Sequence, residues 1–234
     1  MLITVMVWIE GLLLRKMEKN RQAPIMGIDR LRFGTDGKGI TTLVTFYGCP
    51  LNCQYCLNPQ CHKKISESIY WKPEEVFNRI AVDELYYLAS GGGVAFGGGE
   101  PLLYSDFIID VLVLGADKWN VIIETSLNVP YKQVCTLLPY VKEMIVDIKD
   151  INPIIYKSYT QSENDTVLEN LKRLATNWCV NNVLLRIPLI KGYNTNSDID
   201  NSKKFLAHLG YSNFDVFEYK TDFRYDRKRE MYNS

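Results

Sequence analysis

The chain has 234 residues, 27 basic against 27 acidic side chains, and 47% hydrophobic content, so its formal net charge is zero. This suits one α/β domain with a well-buried core, and it offers neither the basic field of a nucleic-acid binder nor an acidic, solvating tail. The six cysteines, three of them clustered, read as metal binding in a reducing, cytoplasmic compartment rather than as a disulfide framework.

At the N-terminus, Leu2 to Leu14 is apolar apart from Thr4, Glu10 and Gly11. At about 13 residues it is too short to span a bilayer, and it lacks the basic n-region and cleavage site of a signal peptide. Two readings stay open for it: a start placed too far upstream, with Met17 or Met26 as alternatives, or a short extra strand or helix. Thr41–Tyr47 is the first strand and runs into a cysteine loop. Pro73 opens a helix with Glu74 and Glu75 in its first turn and with Val76, Ile80 and Leu85 on one face. Strand Val94–Phe96 ends in Gly97-Gly98-Gly99-Glu100-Pro101 and is followed by helix Ser105–Lys118. Strand Asn120–Glu124, helix Tyr131–Leu138 and strand Met144–Ile148 come next. Helical segments near Pro153–Tyr159 and Thr166–Thr176 lead to strand Asn182–Pro188, helix Ser197–Leu209 and a last strand, Phe214–Tyr219. The tail Thr221–Ser234 is charged and weakly patterned, a solvated end.

Six strands alternating with helices call for a parallel sheet with right-handed crossovers. A closed eight-unit barrel takes roughly 250 residues. The expected fold is therefore α/β, a partial, laterally open (β/α)6 barrel with parallel strands over residues 25–220. An N-terminal extension, 1–24, precedes it and the charged tail, 221–234, follows. Ligands bind such folds at the C-terminal ends of the strands, where the cysteine loop, the glycine run, Glu124-Thr125 and Asp147–Lys149 all fall.

The loop carries Cys49, Cys53 and Cys56 as C-x3-C-x2-C. Three thiolates are one short of the four that a closed iron–sulfur or zinc site takes. A cluster held by three would keep one iron open to an outside ligand. A structural zinc site completed by Cys61 or His62 is the alternative, but zinc would explain neither the glycine run nor the strand-end acids. Cys61 otherwise reads as a loop thiol, and Cys135 and Cys179, in apolar helical stretches, read as core residues. The tyrosines, Trp71 and Trp119 read as core and rim.

The cysteine loop, with Tyr55 before its last cysteine, resembles the signature of the radical S-adenosylmethionine superfamily. The run Ser90–Pro101, SGGGVAFGGGEP, is similar to the SGGGVTFSGGEP run of the glycyl-radical enzyme activases, the pyruvate formate-lyase activating enzyme group. Asp36–Thr42 resembles their DGPGIRT segment, with Lys38 for proline and Thr41 for arginine. Asn58 matches their CHNP loop, with Leu57 for histidine. The likeness runs from about Ile28 to Phe217.

This resemblance implies a 4Fe–4S cluster on Cys49, Cys53 and Cys56, with S-adenosylmethionine chelating the fourth iron and a 5′-deoxyadenosyl radical abstracting hydrogen from a glycine of a partner glycyl-radical enzyme. It implies cofactor contacts from Tyr55, Asn58, Gly98, Gly99, Glu100, Glu124, Thr125, Asp147, Lys149 and Arg186, with Glu124-Thr125 and Asp147 also beside a monovalent cation. No catalytic residue beyond cluster and cofactor is implied. A flavodoxin or ferredoxin-type electron donor, a monomeric anaerobic enzyme, and no nucleic-acid or membrane partner complete the expectation. Only residues 57–72 separate Cys56 from the Pro73 helix, too few for the ferredoxin-like insert of many activases, so the chain resembles the short, single-cluster type. Two other functions remain as alternatives: a radical enzyme acting on a small molecule or peptide, and a non-catalytic iron–sulfur or zinc module.

Overall fold

A computed structural model of the chain describes residues 21–63 and 69–219. The apolar N-terminal run and the charged tail lie outside the described residues. One eight-stranded sheet organises the rest: β1 (Ala23–Phe33), β2 (Ile40–Phe46), β3 (Tyr70–Trp71), β4 (Gly93–Gly98), β5 (Asn120–Thr125), β6 (Glu143–Asp147), β7 (Val183–Leu189) and β8 (Phe214–Glu218), in the order β3-β1-β2-β4-β5-β6-β7-β8. From β2 to β8 every pairing is parallel. β3 and β8 are the two edges, so the sheet curves without closing, as the partial barrel requires. Helices α1 (Pro73–Ala81), α2 (Glu84–Ser90), α3 (Ser105–Leu112), α4 (Tyr131–Leu137), α5 (Pro153–Thr160), α6 (Asp165–Asn177) and α7 (Asn196–His208) occupy the connections.

Alternation along the strands divides the sheet into two faces. Val44, Phe46, Val94, Phe96, Val121, Ile123, Met144, Val146, Leu185 and Ile187 pack with helix residues in the main core. The intervening residues face the concave side. There Leu43, Ala95, Ile122 and Ile145 form a small apolar layer with Leu184 against it. Two residues further along each strand that face turns polar or bare: Thr45, Gly97, Glu124, Asp147 and Arg186. The loop before β2 floors this layer, since a Cβ on Gly37 would stand 3.0 Å from Ile122 Cγ1.

Four details differ from the sequence expectation. β1 is an extra, antiparallel strand that begins at Ala23, inside the expected extension. It carries Arg30 and Arg32, paired with Asp83 and Asp36, on either side of a register shift at Leu31, φ 57°, while Leu31 and Phe33 are exposed, so no hydrophobic alternation marks it. The helix opened by Pro73 stops at Ala81, because the chain turns Asp83 inward to meet Arg30 and Thr42; Leu85 consequently lies on the exposed side of a second helix. α3 ends at Leu112, short of Lys118, where the chain turns through Gly115 at φ 145°. Cys179 is exposed in the turn after α6, and Cys135 is half-buried on α4, so neither is a core residue.

Candidate active site

A cleft of about 380 Å³ opens at the C-terminal ends of the parallel strands. One wall is the cysteine loop, which leaves β2 through Gly48 at φ 87°. Backbone bonds staple its base to the glycine run: Gly99 N–H donates to the Phe46 carbonyl at 2.9 Å and Glu100 N–H to the Gly48 carbonyl at 2.7 Å. Gly48 N–H in turn donates to the Cys61 carbonyl at 2.9 Å, and Asn58 Nδ2 donates to the Gly98 carbonyl at 3.1 Å. The glycines are required by this close approach. A Cβ on Gly99 would stand 2.2 Å from the Gly48 carbonyl oxygen, and one on Gly98, which has φ 90°, 2.6 Å from Thr45 Cβ.

All three loop thiols line the cleft. Burial pushes Cys49 up to about 12 and Cys53 up to about 11. Cys56 moves down to about 6, because the buried Cys61 thiol donates to it. The same contact and burial push Cys61 up. Thiols held protonated chiefly by burial, as Cys49 and Cys53 are, are ones that metal coordination would ionise.

The opposite wall is the polar layer of the concave face. Arg186 Nη1 lies 3.3 Å from Glu124 Oε1, its Nε 3.7 Å from Asp215 Oδ2, and its Nη2 donates to the Thr35 carbonyl at 2.8 Å. Burial raises the Glu124 carboxyl to about 7, with Arg186 opposing. Lys149 Nζ lies 3.0 Å from Asp147 Oδ2. Burial works against the Lys149 charge, but Asp147 and Cys53 outweigh it, and the ammonium is held well above its ordinary range.

The cleft therefore brings together Tyr55, Asn58, Gly98, Gly99, Glu124, Thr125, Asp147, Lys149 and Arg186 with the three cysteines. Glu100 stands outside its lining. Its carboxylate, 1% exposed, is turned away and latches β4 to β5: it accepts from Leu102 N–H (3.2 Å), Thr125 Oγ1 (2.7 Å), Ser126 N–H (2.9 Å) and Ser126 Oγ (2.6 Å). Burial raises its pKa, with those donors opposing.

Sequence reasoning missed Ser126, Tyr159, Asp215, Phe217 and Tyr219, which also line the cleft. The period-2 parity of β8 carried the signal for three of them, since Asp215 pairs with Arg186 and Phe217 and Tyr219 follow on the same face. Tyr219 Oη donates to the Tyr55 carbonyl at 2.6 Å. The Tyr55 ring also contacts Tyr159, Tyr193 and Tyr219, an aromatic wall between the last strand and the cysteine loop.

The donor set fits an iron–sulfur cluster. Sulfur ligands crowd one wall, while the hard carboxylates opposite already have cationic partners. Among the described residues no three His, Cys, Asp or Glu side chains stand close enough to share a single metal ion; a 4Fe–4S cluster takes one thiolate per iron, so Cys49, Cys53 and Cys56 would serve three of its four irons.

The family model of the Radical SAM superfamily matches residues 43–206. The chain is 31% identical over 227 residues to the (2S)-3-sulfopropanediol dehydratase activating enzyme of Klebsiella oxytoca, covering 71% of this chain and 70% of that one. It is 28% identical over 252 residues to the indoleacetate decarboxylase activating enzyme of Tractidigestivibacter scatoligenes, covering 79% of each. Both alignments are longer than the share of this chain they use, so each relative carries intervening residues that this chain lacks. In fold alone, the crystal structure of Streptococcus suis SuiB bound to S-adenosylmethionine is similar, with a TM-score of 0.59 and 16% identity over 82% of this chain and 46% of that one. The chain belongs to the radical SAM superfamily, whose members use a 4Fe–4S cluster and S-adenosylmethionine.

Proposed function

We propose that this chain is an activase that uses S-adenosylmethionine to install a radical on a glycine of a partner glycyl-radical enzyme. What carries the reading is one cleft in which the three cysteines of the loop face Glu124, Asp147, Lys149 and Arg186, in a chain whose relatives over most of its length are activating enzymes.

When bound, the cluster and S-adenosylmethionine supply a one-electron reductive cleavage and a 5′-deoxyadenosyl radical. The protein's own work is binding, orientation and exclusion of water. Cys49, Cys53 and Cys56 would hold the cluster. Lys149 and Arg186 offer the cationic edge that a carboxylate meets, and the Gly98 and Gly99 backbone offers carbonyls to an ammonium. Tyr55, Tyr159 and Tyr219 shield the cleft. Glu124 and Asp147, the acids that resemblance assigns to a monovalent cation, are balanced here by Arg186 and Lys149, and we read these two pairs as standing in the cation's place.

The partner's glycine loop would enter at the open side of the barrel, beside β8. A flavodoxin or ferredoxin-type protein would supply the electron, and the enzyme would act as a monomer without nucleic acid. Among the described residues no helix is long and apolar enough to cross a membrane. Anaerobic reconstitution tests the reading: the chain should take up a 4Fe–4S cluster and release 5′-deoxyadenosine with dithionite, and Cys53→Ala should do neither. Normal cleavage by Cys53→Ala would overturn it.

A further inference from the structure

The loop from Pro50 to Gln54, which includes Cys53, is fastened to the C-terminal end of α5. Asn52 N–H donates to the Thr160 carbonyl at 2.9 Å, and Gln54 N–H to the Tyr159 carbonyl at 3.0 Å. Side chains reinforce the joint from both directions. Asn52 Nδ2 donates to Gln161 Oε1 at 2.8 Å, and Ser162 Oγ donates to the Pro50 carbonyl at 3.1 Å. Gln161 ends the helix in the left-handed region at φ 59°, and its own N–H closes the turn on the Lys157 carbonyl at 2.8 Å. That conformation favours glycine, so a glutamine there directs attention to its side chain.

The amides of Asn52 and Gln54 are thereby committed to helix carbonyls. Hydrogen bonds to cluster or cysteine sulfur stabilise the reduced, more negative cluster and raise its potential. The negative end of a helix dipole acts the other way.

We propose that the C-terminal turn of α5, with Gln161 as its key positioning residue, holds the cluster at a low reduction potential. It does so by withholding two loop amides from the sulfurs and aiming the negative end of the helix at the loop. This rests on the reading that the cysteine loop holds a cluster, and is independent of which partner the enzyme serves. Lys149, beside Cys53, pulls in the opposite direction, so the turn is one arm of a balance.

The test is a redox titration of the reconstituted full chain, followed by the electron paramagnetic resonance signal of the reduced cluster, without S-adenosylmethionine or partner. Gln161→Gly keeps the left-handed turn but removes the side-chain bond from Asn52 that steadies the joint. It should raise the ratio of reduced to oxidised cluster at fixed potential on the order of tenfold, about 59 mV for a one-electron couple. Gln161→Glu keeps an acceptor for Asn52 and adds negative charge, so its potential should equal or fall below that of the parent. If Gln161→Gly fails to hold a cluster, Ser162→Ala is read instead and should shift the potential in the same direction. Unchanged potentials in cluster-loaded variants would overturn the proposal. A parent chain that takes up no cluster would instead overturn the family reading of the loop.

Discussion

A methyl group on Gly99 would stand 2.2 Å from the Gly48 carbonyl, inside the hinge of the cysteine loop. The sequence invites a different reason for the glycines, that a side chain would hold a ligand off the backbone, and on that ground a bulky residue at Gly98 or Gly99 would spare the cluster. The geometry reverses this expectation. Gly99→Ala should cost about 1–3 kcal/mol as an overpacked site and lower iron content per chain as well as cofactor binding, measured by iron analysis beside calorimetry. Glu100 acts at the same hinge from the other side. Glu100→Gln cannot accept from all four of its donors, and a buried donor left unpaired costs about 1–3 kcal/mol. Its melting temperature should fall while iron content stays near that of the parent. The acids across the cleft make a third case. Because Arg186 and Lys149 already balance Glu124 and Asp147, replacing potassium and sodium by a bulky organic cation should leave S-adenosylmethionine binding unchanged; a steep loss of affinity in titration calorimetry would restore the cation.

At the scale of elements, Asp83 accounts for two departures from the sequence pattern. Its carboxylate is fully buried, receives Arg30 Nε at 2.7 Å and Thr42 Oγ1 at 3.0 Å, and so breaks the helical run into α1 and α2 while tying β1 to β2. Neither was legible. A strand that pairs its arginines and exposes its Leu31 and Phe33 looks like a loop to any rule based on hydrophobic alternation, and a buried aspartate looks like a surface residue until its partner, 53 positions away, is in place. The Arg30 guanidinium holds the Asp83 carboxyl below its ordinary value. A depressed folded pKa contributes stability that is complete above the unfolded value, about 4, and lost as pH falls through the folded one. Asp83→Asn should therefore lower the melting temperature at neutral pH and flatten its decline between about pH 4 and more acid conditions. A variant that declines as steeply as the parent would assign the acid lability elsewhere.

Over the whole molecule, the concave face of the barrel reads as two layers, apolar below (Leu43, Ala95, Ile122, Ile145, Leu184) and chemical above (Glu124, Asp147, Arg186). This much was open to sequence reasoning, because strands β2 and β4 to β8 are short apolar runs and each departs from that character at its C-terminal end. The motif residues came from those ends, and the cleft gathers them with the exception of Glu100. What the sequence could not supply was contact across the barrel: the Tyr219–Tyr55 bridge, the Arg186 pairings and the α5 turn behind the cysteine loop all join residues far apart in the chain. Together they give the cleft an aromatic wall, and among the described residues β3 and β8 are the unpaired edges of the sheet. The most direct test of the account is electron paramagnetic resonance on a glycyl-radical enzyme encoded beside this chain, after anaerobic incubation with the reconstituted protein, reductant and S-adenosylmethionine. A glycyl doublet is expected on that partner, with 5′-deoxyadenosine released in proportion to the radical formed. Release of 5′-deoxyadenosine with no doublet on the partner would contradict it.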